Sequence, residues 1–236
     1  MRIPVDRDEI CDQSTSKPST FRFVKHRSVT ASLVAIVALA SACRETPSTQ
    51  EPATPFAIWW SKDADTGTPE SAASAAVRDL IGVEPVLGDF MAGDARSGEI
   101  EVLSPVGTIP TVRSLLLMRQ LGPADEWSVI GAVSTAITID APQSRSVRPP
   151  GIVSVSGSAR GFEGLVVVTA HRLGNRPELI DQTQTQAGSL DESRPFRVDL
   201  DLSGTRTGDV VAITVRGAVG MEDDPGEFSS LPIMIE

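Results

Sequence analysis

The chain has 236 residues, a formal net charge of −10 and two cysteines. A chain this acidic repels the phosphate backbone, which argues against a nucleic-acid-binding protein. Its length allows one large domain or two small domains with proper cores.

Residues 1–43 are predicted to contain an export signal. Residues 24–43 begin with a basic lead and continue with an apolar run at 31–42. About a dozen apolar residues are too few for a stable membrane span, which needs roughly 20. The first 23 residues carry four acidic residues where a signal peptide is basic. This favours a translation start at Val24, and a genuine long leader that includes Cys11 is the alternative.

The signal ends in Leu-Ala-Ser-Ala-Cys at 39–43. This stretch resembles the lipobox of bacterial lipoproteins, in which small residues fit a peptidase and the cysteine receives diacylglycerol. The resemblance implies lipid attachment at Cys43 and a lipid-anchored protein on the extracytoplasmic face of the cell membrane. Two or more acyl chains are enough for stable anchoring. A plain secretory signal with an incidental cysteine is the alternative.

Residues 44–55, RETPSTQEPATP, are predicted to form an extended tether because they are rich in Pro, Thr and Ser without apolar periodicity. Of the 21 basic and 31 acidic residues, six and four precede residue 44, so the remainder carries a formal charge of −12. Acidity opposes binding to anionic lipid, so membrane attachment is expected through the lipid anchor.

Residues 56–134 are predicted to form a small α+β domain, with one helix on an antiparallel sheet. A strand is expected at 56–60, followed by a helix with Thr68 as N-cap and Pro69 at its first position. The helix is expected to end before Gly82. Its apolar stripe comprises Ala73, Ala76, Val77, Leu80 and Ile81.

Three strands are expected to complete this domain, at 99–103, 111–120 and 127–133. A helix laid on this meander would bury Trp127 together with the helical stripe. Strict alternation along the last strand places four residues on one face: Trp127, Val129, Gly131 and Val133.

Residues 135–236 are predicted to form an all-β sandwich, because turn clusters separate short strands without any helical stripe. Seven strands are expected, at 137–141, 152–159, 165–173, 179–186, 196–202, 209–218 and 229–235. Two of them alternate clearly and should face one core, with these residues inward: Phe196, Val198, Leu200, Leu202, Val211, Ile213 and Val215.

The same region resembles the immunoglobulin-like domain of bacterial spore germination proteins. The resemblance lies in Ile-x-Ile-x-Ala-Pro at 137–142, Val-x-Val-x-Gly-x-Ala at 153–159 and Phe-Glu-Gly at 162–164 before a valine strand, then Phe-x-Val-x-Leu at 196–200. It covers residues 136–236 and implies an immunoglobulin-like sandwich. Members of this family are often surface lipoproteins with another module before this one. The matching motifs concern turns and core, so they imply a fold more firmly than an activity.

Catalytic and metal motifs are scarce. His171 is the single histidine after Cys43, and its strand position indicates a histidine without catalytic duty. No Gly-x-Ser-x-Gly elbow, strand-linked Gly-x-Gly-x-x-Gly or paired histidine motif occurs, so neither a cofactor nor a zinc site is expected. The acidic stretch at 222–226 lacks the spacing of a calcium loop and is expected to be a solvated turn.

Three residues are candidates for partner contact. Trp59 and Trp60 are adjacent in a predicted strand, so one should enter the core while the other meets solvent or a neighbouring surface. The resemblance places a glutamate repeatedly at the position of Glu163, which suggests a turn-stabilising role or a partner contact. Phe162 beside it is expected to plug one end of the sandwich.

The sequence therefore predicts a lipid-anchored extracytoplasmic binding or scaffold protein of the bacterial cell envelope, without catalytic activity. Its partner would be an envelope protein or a glycan. A sporulation- or germination-related envelope lipoprotein and an enzyme of unrecognised type are the alternatives.

Overall fold

Antiparallel β-sheet makes up most of the structure, a computed structural model that describes residues 57–60, 67–189 and 191–236. The lipobox with Cys43, the tether and Phe56 lie outside the described residues, so the predictions about them stay predictions. The described residues belong to one compact unit. The two-domain division at 134/135 also stays a prediction.

Helix α1, Pro69–Ile81, has the predicted boundaries and caps. The Thr68 hydroxyl accepts a hydrogen bond from the Ser71 N–H at 3.2 Å, which satisfies a free donor of the first turn. Gly82 ends the helix in the left-handed conformation, with φ 85°. Glycine adopts this conformation without steric cost. The helix prediction is confirmed.

Five strands follow the helix. Strands β3, β4 and β5 form the predicted antiparallel meander, whereas the short strands β1 and β2 were not predicted; both pair with β3. The bounds are Val86–Leu87 (β1), Met91–Asp94 (β2), Ser97–Leu103 (β3), Val112–Leu121 (β4) and Glu126–Val133 (β5).

The expected alternation of β5 is wrong beyond Val129. A β-bulge lies where Leu117 pairs with Gly131 but Met118 pairs with Val129, so Ile130 is the extra residue. The bulge moves Ala132 into the core and leaves Val133 47% exposed. Trp127 and Val129 pack with the helix stripe as predicted.

The rest of the chain forms eight strands, and the seven predicted ones are all present. Strands β11, β8 and β6 make a small sheet, while β9, β10, β12 and β13 extend the sheet of the meander. The bounds are Thr138–Ala141 (β6), Val147–Arg148 (β7), Ile152–Ala159 (β8), Leu165–Arg172 (β9), Glu178–Gln186 (β10), Arg194–Asp201 (β11), Val210–Gly217 (β12) and Phe228–Ile235 (β13).

The small sheet packs on one face of the large sheet to give a sandwich-like core. The two alternating sets predicted from the sequence meet there, and Phe196, Leu200 and Ile213 are among its buried residues. Position 157 in this small sheet requires glycine, because a Cβ there would overlap the Thr138 carbonyl on β6.

Strand β12 is buried on both faces, and its residues contribute to both hydrophobic cores. Val211, Ile213 and Val215 face the sandwich core, whereas Ala212 joins the second core beneath α1. Strand β13 connects the meander to the sandwich strands through the pair Ser230 and Ala132. The large sheet therefore separates two cores, and the part of its second face beyond the helix is open.

The expectation that Phe162 plugs the sandwich is wrong. Residues 162–164 form a short 3₁₀ turn in which Phe162 is 42% exposed. Its ring lies on the outside, against Gly220.

Truncation of Phe162 should therefore cost little. We expect Phe162→Ala to lower the free energy of unfolding by less than about 1 kcal/mol, because a half-exposed ring loses few core contacts. Phe196→Ala is the matched control, since Phe196 is 5% exposed and a buried Phe to Ala change costs about 3–5 kcal/mol. Denaturant unfolding of both variants measures the difference, and equal losses would contradict the expectation.

Candidate functional site

An open groove of about 640 Å³ lies on the large sheet, on the face opposite the sandwich core. Its floor consists of residues from β9, β10 and β12. One wall is the end of α1 at 79–82, and the other is the loop at 218–222 between β12 and β13. Its volume lies within the range of small-ligand sites.

A polar row crosses the floor. Gln182, Thr169 and Thr214 are paired in register on three adjacent strands. Thr214 is buried and shares a hydrogen bond of 2.8 Å with Ser230 on the next strand. Gln182 is exposed and Thr169 half-buried, so these two side chains offer amide and hydroxyl groups to a ligand.

His171 lines one part of the groove and is 7% exposed. Its Nδ1 has no hydrogen-bond partner among the described residues. Burial lowers the pKa of the imidazole below its ordinary value, so the ring is neutral at pH 7. The prediction that His171 has no catalytic duty stays a prediction, but its position on a ligand-sized groove was not foreseen.

Arg216 on the floor forms hydrogen bonds to the end of α1 and to the loop between β12 and β13. Its Nη1 donates to the Ile81 carbonyl at the end of α1 at 3.2 Å, and its Nη2 donates to the Asp224 carbonyl at 2.9 Å. Burial lowers the pKa of the guanidinium, and the nearby Asp224 charge acts in the opposite direction. Arg216 therefore has a structural role, since its hydrogen bonds link the sheet to the helix end and to the loop.

The prediction of a solvated turn at 222–226 holds for only part of this stretch. Glu222 and Asp223 are exposed, but Asp224 is completely buried. Its carboxylate accepts hydrogen bonds from Arg113 Nε at 3.0 Å and Nη2 at 2.6 Å, from the Ser104 hydroxyl at 2.6 Å and from the Gly226 N–H at 2.9 Å. Burial alone would raise the pKa of Asp224, but the hydrogen bonds from Arg113 and Ser104 lower it.

Two acidic and two apolar side chains lie along the groove with ready access to solvent. Asp79 and Glu222 are exposed, and one carboxylate oxygen of Asp79 accepts a hydrogen bond from Trp59 Nε1 at 2.8 Å. Leu179 on β10 is 51% exposed, and Met221 in the loop is 43% exposed. The groove thus combines polar, acidic and apolar surface.

The three predicted contact residues lie apart from the groove floor. Trp59 is completely buried and belongs to the core under α1, and its Nε1 donates a hydrogen bond to Asp79 at the groove wall. Trp60 is half-buried. Glu163 is exposed, with φ 54°, in the turn that carries Phe162. A role for Trp60 or Glu163 in partner contact stays a prediction.

Within the described part of the chain, no group of three or more His, Cys, Asp or Glu residues is placed to hold a metal ion. No helix of that part has the length and apolarity of a membrane span. Comparison with protein-family models, curated proteins and solved structures found no match.

Proposed function

We propose that this chain is a lipid-anchored binding protein on the outer side of a bacterial cell membrane. The lipobox-like stretch with Cys43 would supply the anchor, and the folded part would bind a partner in the groove. The observation that carries this proposal is the groove itself, a concave surface of ligand size with convergent polar groups.

A binding role fits the groove better than a catalytic role. General base catalysis by histidine needs a partner that orients the ring and a nucleophile beside it. His171 Nδ1 has no such partner among the described residues. The exposed Asp79, meanwhile, is engaged with Trp59. These features support the proposal of a non-catalytic protein.

The immunoglobulin-like character of the second half is part of the proposal. It is supported by the two packed sheets and by Gly157, the glycine of the motif at 153–159, because a Cβ at its position would overlap the neighbouring strand. Such sandwiches serve widely as binding modules, although the fold by itself does not define a ligand.

The anchor is tested by Cys43→Ala in a bacterial host that processes lipoproteins. We expect the variant to move from the membrane fraction to the soluble or secreted fraction, because loss of the thiol removes every acyl chain. Fractionation with immunoblotting and labelling with a fatty-acid analogue measure this change. Cys11→Ala is the matched control, since it removes the other cysteine of the chain, and it should leave both readouts unchanged.

Retention of Cys43→Ala in the membrane fraction would contradict the lipoprotein part of the proposal. Loss of fatty-acid labelling in Cys11→Ala would assign the acyl chain to Cys11 instead of Cys43. This result would also contradict the lipoprotein part of the proposal.

A further inference from the structure

We propose that the groove docks an extended, positively charged peptide segment of a partner protein. This inference rests on the proposed binding function and names the class of partner. Four properties of the groove support it, namely its shape, its charge, its apolar rim and its hydrogen-bonding groups.

The shape suits an extended chain. The β9 part of the floor runs from Val167 to His171, about 13 Å at roughly 3.3 Å per residue. A strand-like segment of four or five residues covers this length. The helix end and the loop at 218–222 border the floor, with the loop at its Val167 end, so such a segment would lie against raised borders rather than on a flat surface.

The charge favours a cation. Asp79 and Glu222 are the exposed charged groups that line the groove in the described structure. Arg216 also lines it and adds one positive charge, which the two exposed carboxylates outnumber; its terminal nitrogens donate to backbone carbonyls, and its Nε has no partner among the described residues. Burial keeps His171 uncharged at pH 7. The formal net charge of the whole chain, −10, adds a long-range attraction for basic partners.

The rim provides apolar contacts. Leu179 and Met221 expose about half of their side chains beside the floor, and the exposed Phe162 packs against Gly220 in the same loop as Met221. Leu179 lies at one end of the floor and Met221 lies in the loop that follows the other end, so apolar surface is offered at both ends of a bound segment.

The floor provides hydrogen bonds for a peptide backbone. The Gln182 amide and the Thr169 hydroxyl each offer a donor and an acceptor. They are neighbours across β9 and β10, so they present both kinds of group at one level of the groove. A peptide amide needs this pair of functions when it leaves water.

The test uses the full chain in a nonionic detergent, immobilised on a biosensor. The probes are a capped seven-residue peptide in which lysine alternates with valine, its matched glutamate and valine peptide, and the trisaccharide of N-acetylglucosamine. We expect the lysine peptide to bind at least tenfold more tightly than the glutamate peptide. A rise in salt from about 0.05 to about 0.5 M should weaken its binding, because the Debye length shortens.

Two variants locate the binding in the groove. Glu222→Gln removes an exposed charge and should weaken lysine-peptide binding about threefold, while Leu179→Thr removes apolar surface and should weaken it about fivefold. The matched controls are Glu99→Gln and Ile152→Thr. Glu99 is exposed on β3 and Ile152 is 66% exposed on β8, both outside the groove, so these controls should leave the affinity unchanged.

Three results would overturn the inference. They are equal binding of the two peptides, no binding of the lysine peptide up to about 1 mM, and equal effects of the groove and control variants. If instead the trisaccharide binds and the groove variants weaken it, the groove is a glycan site. That outcome refutes the peptide inference while the binding function stands.

Discussion

Replacement of Asp224 by alanine should lower the free energy of unfolding by about 3–5 kcal/mol. Asp224 is completely buried, and its carboxylate holds Arg113, Ser104 and the Gly226 N–H in one cluster. Removal of one member of a buried ion pair leaves the other charge without compensation. Here Arg113 would lose its partner while its side chain is only 20% exposed.

The neighbouring Asp223 provides the control. It is exposed in the same turn, so Asp223→Ala should change stability by less than about 0.5 kcal/mol. Denaturant unfolding at pH 7 compares the two variants, and a loss under 1 kcal/mol for Asp224→Ala would show that the cluster contributes little.

The same cluster predicts a dependence on pH. Hydrogen bonds keep the pKa of Asp224 in the folded protein below its value in the unfolded chain. The stabilisation is therefore complete above the unfolded value of about 3.9 and is lost as the pH falls through the lower folded value. In Asp224→Ala this part of the acid destabilisation should be missing, so the stability of variant and parent should converge at low pH.

Local signals in the sequence were sufficient for the helix and the long strands. Thr68, Pro69 and Gly82 define the ends of α1 through interactions within a few residues, so no knowledge of the fold is needed. The strands β1, β2 and β7 have two to four residues each. They exist because a partner strand pairs with them, and such pairing has no local pattern that sequence reasoning can detect.

The groove could not be predicted, because its residues come from five separate parts of the chain. The alternation along β12 is the one sequence signal that indicates a polar surface there. If Val211, Ile213 and Val215 point inward, then Thr214 and Arg216 must lie on the opposite face of β12, and a buried strand with such residues needs polar surroundings there. The misplacement of Phe162 has a different cause, since the 3₁₀ turn at 162–164 directs its ring outward.

Replacement of Trp59 by alanine should also cost about 3–5 kcal/mol of unfolding free energy. Trp59 is completely buried in the core under α1, and its Nε1 donates to Asp79 at the groove wall. Loss of the indole leaves a large cavity between helix and sheet and removes the partner of a groove carboxylate. Thermal and denaturant unfolding measure the loss.

Two further variants separate packing from hydrogen bonding. Trp59→Phe keeps most of the apolar volume but cannot donate to Asp79, so it should cost about 1–2 kcal/mol, mostly from the lost hydrogen bond and the smaller ring. Trp60→Ala changes a half-buried neighbour and should cost clearly less than Trp59→Ala. If Trp60→Ala proves the more destabilising of the two alanine variants, the assignment of Trp59 as the indole that joins α1 to the sheet is wrong. If Trp59→Phe is as unstable as Trp59→Ala, the bond to Asp79 rather than the packing holds the helix end, and the groove wall depends directly on that bond.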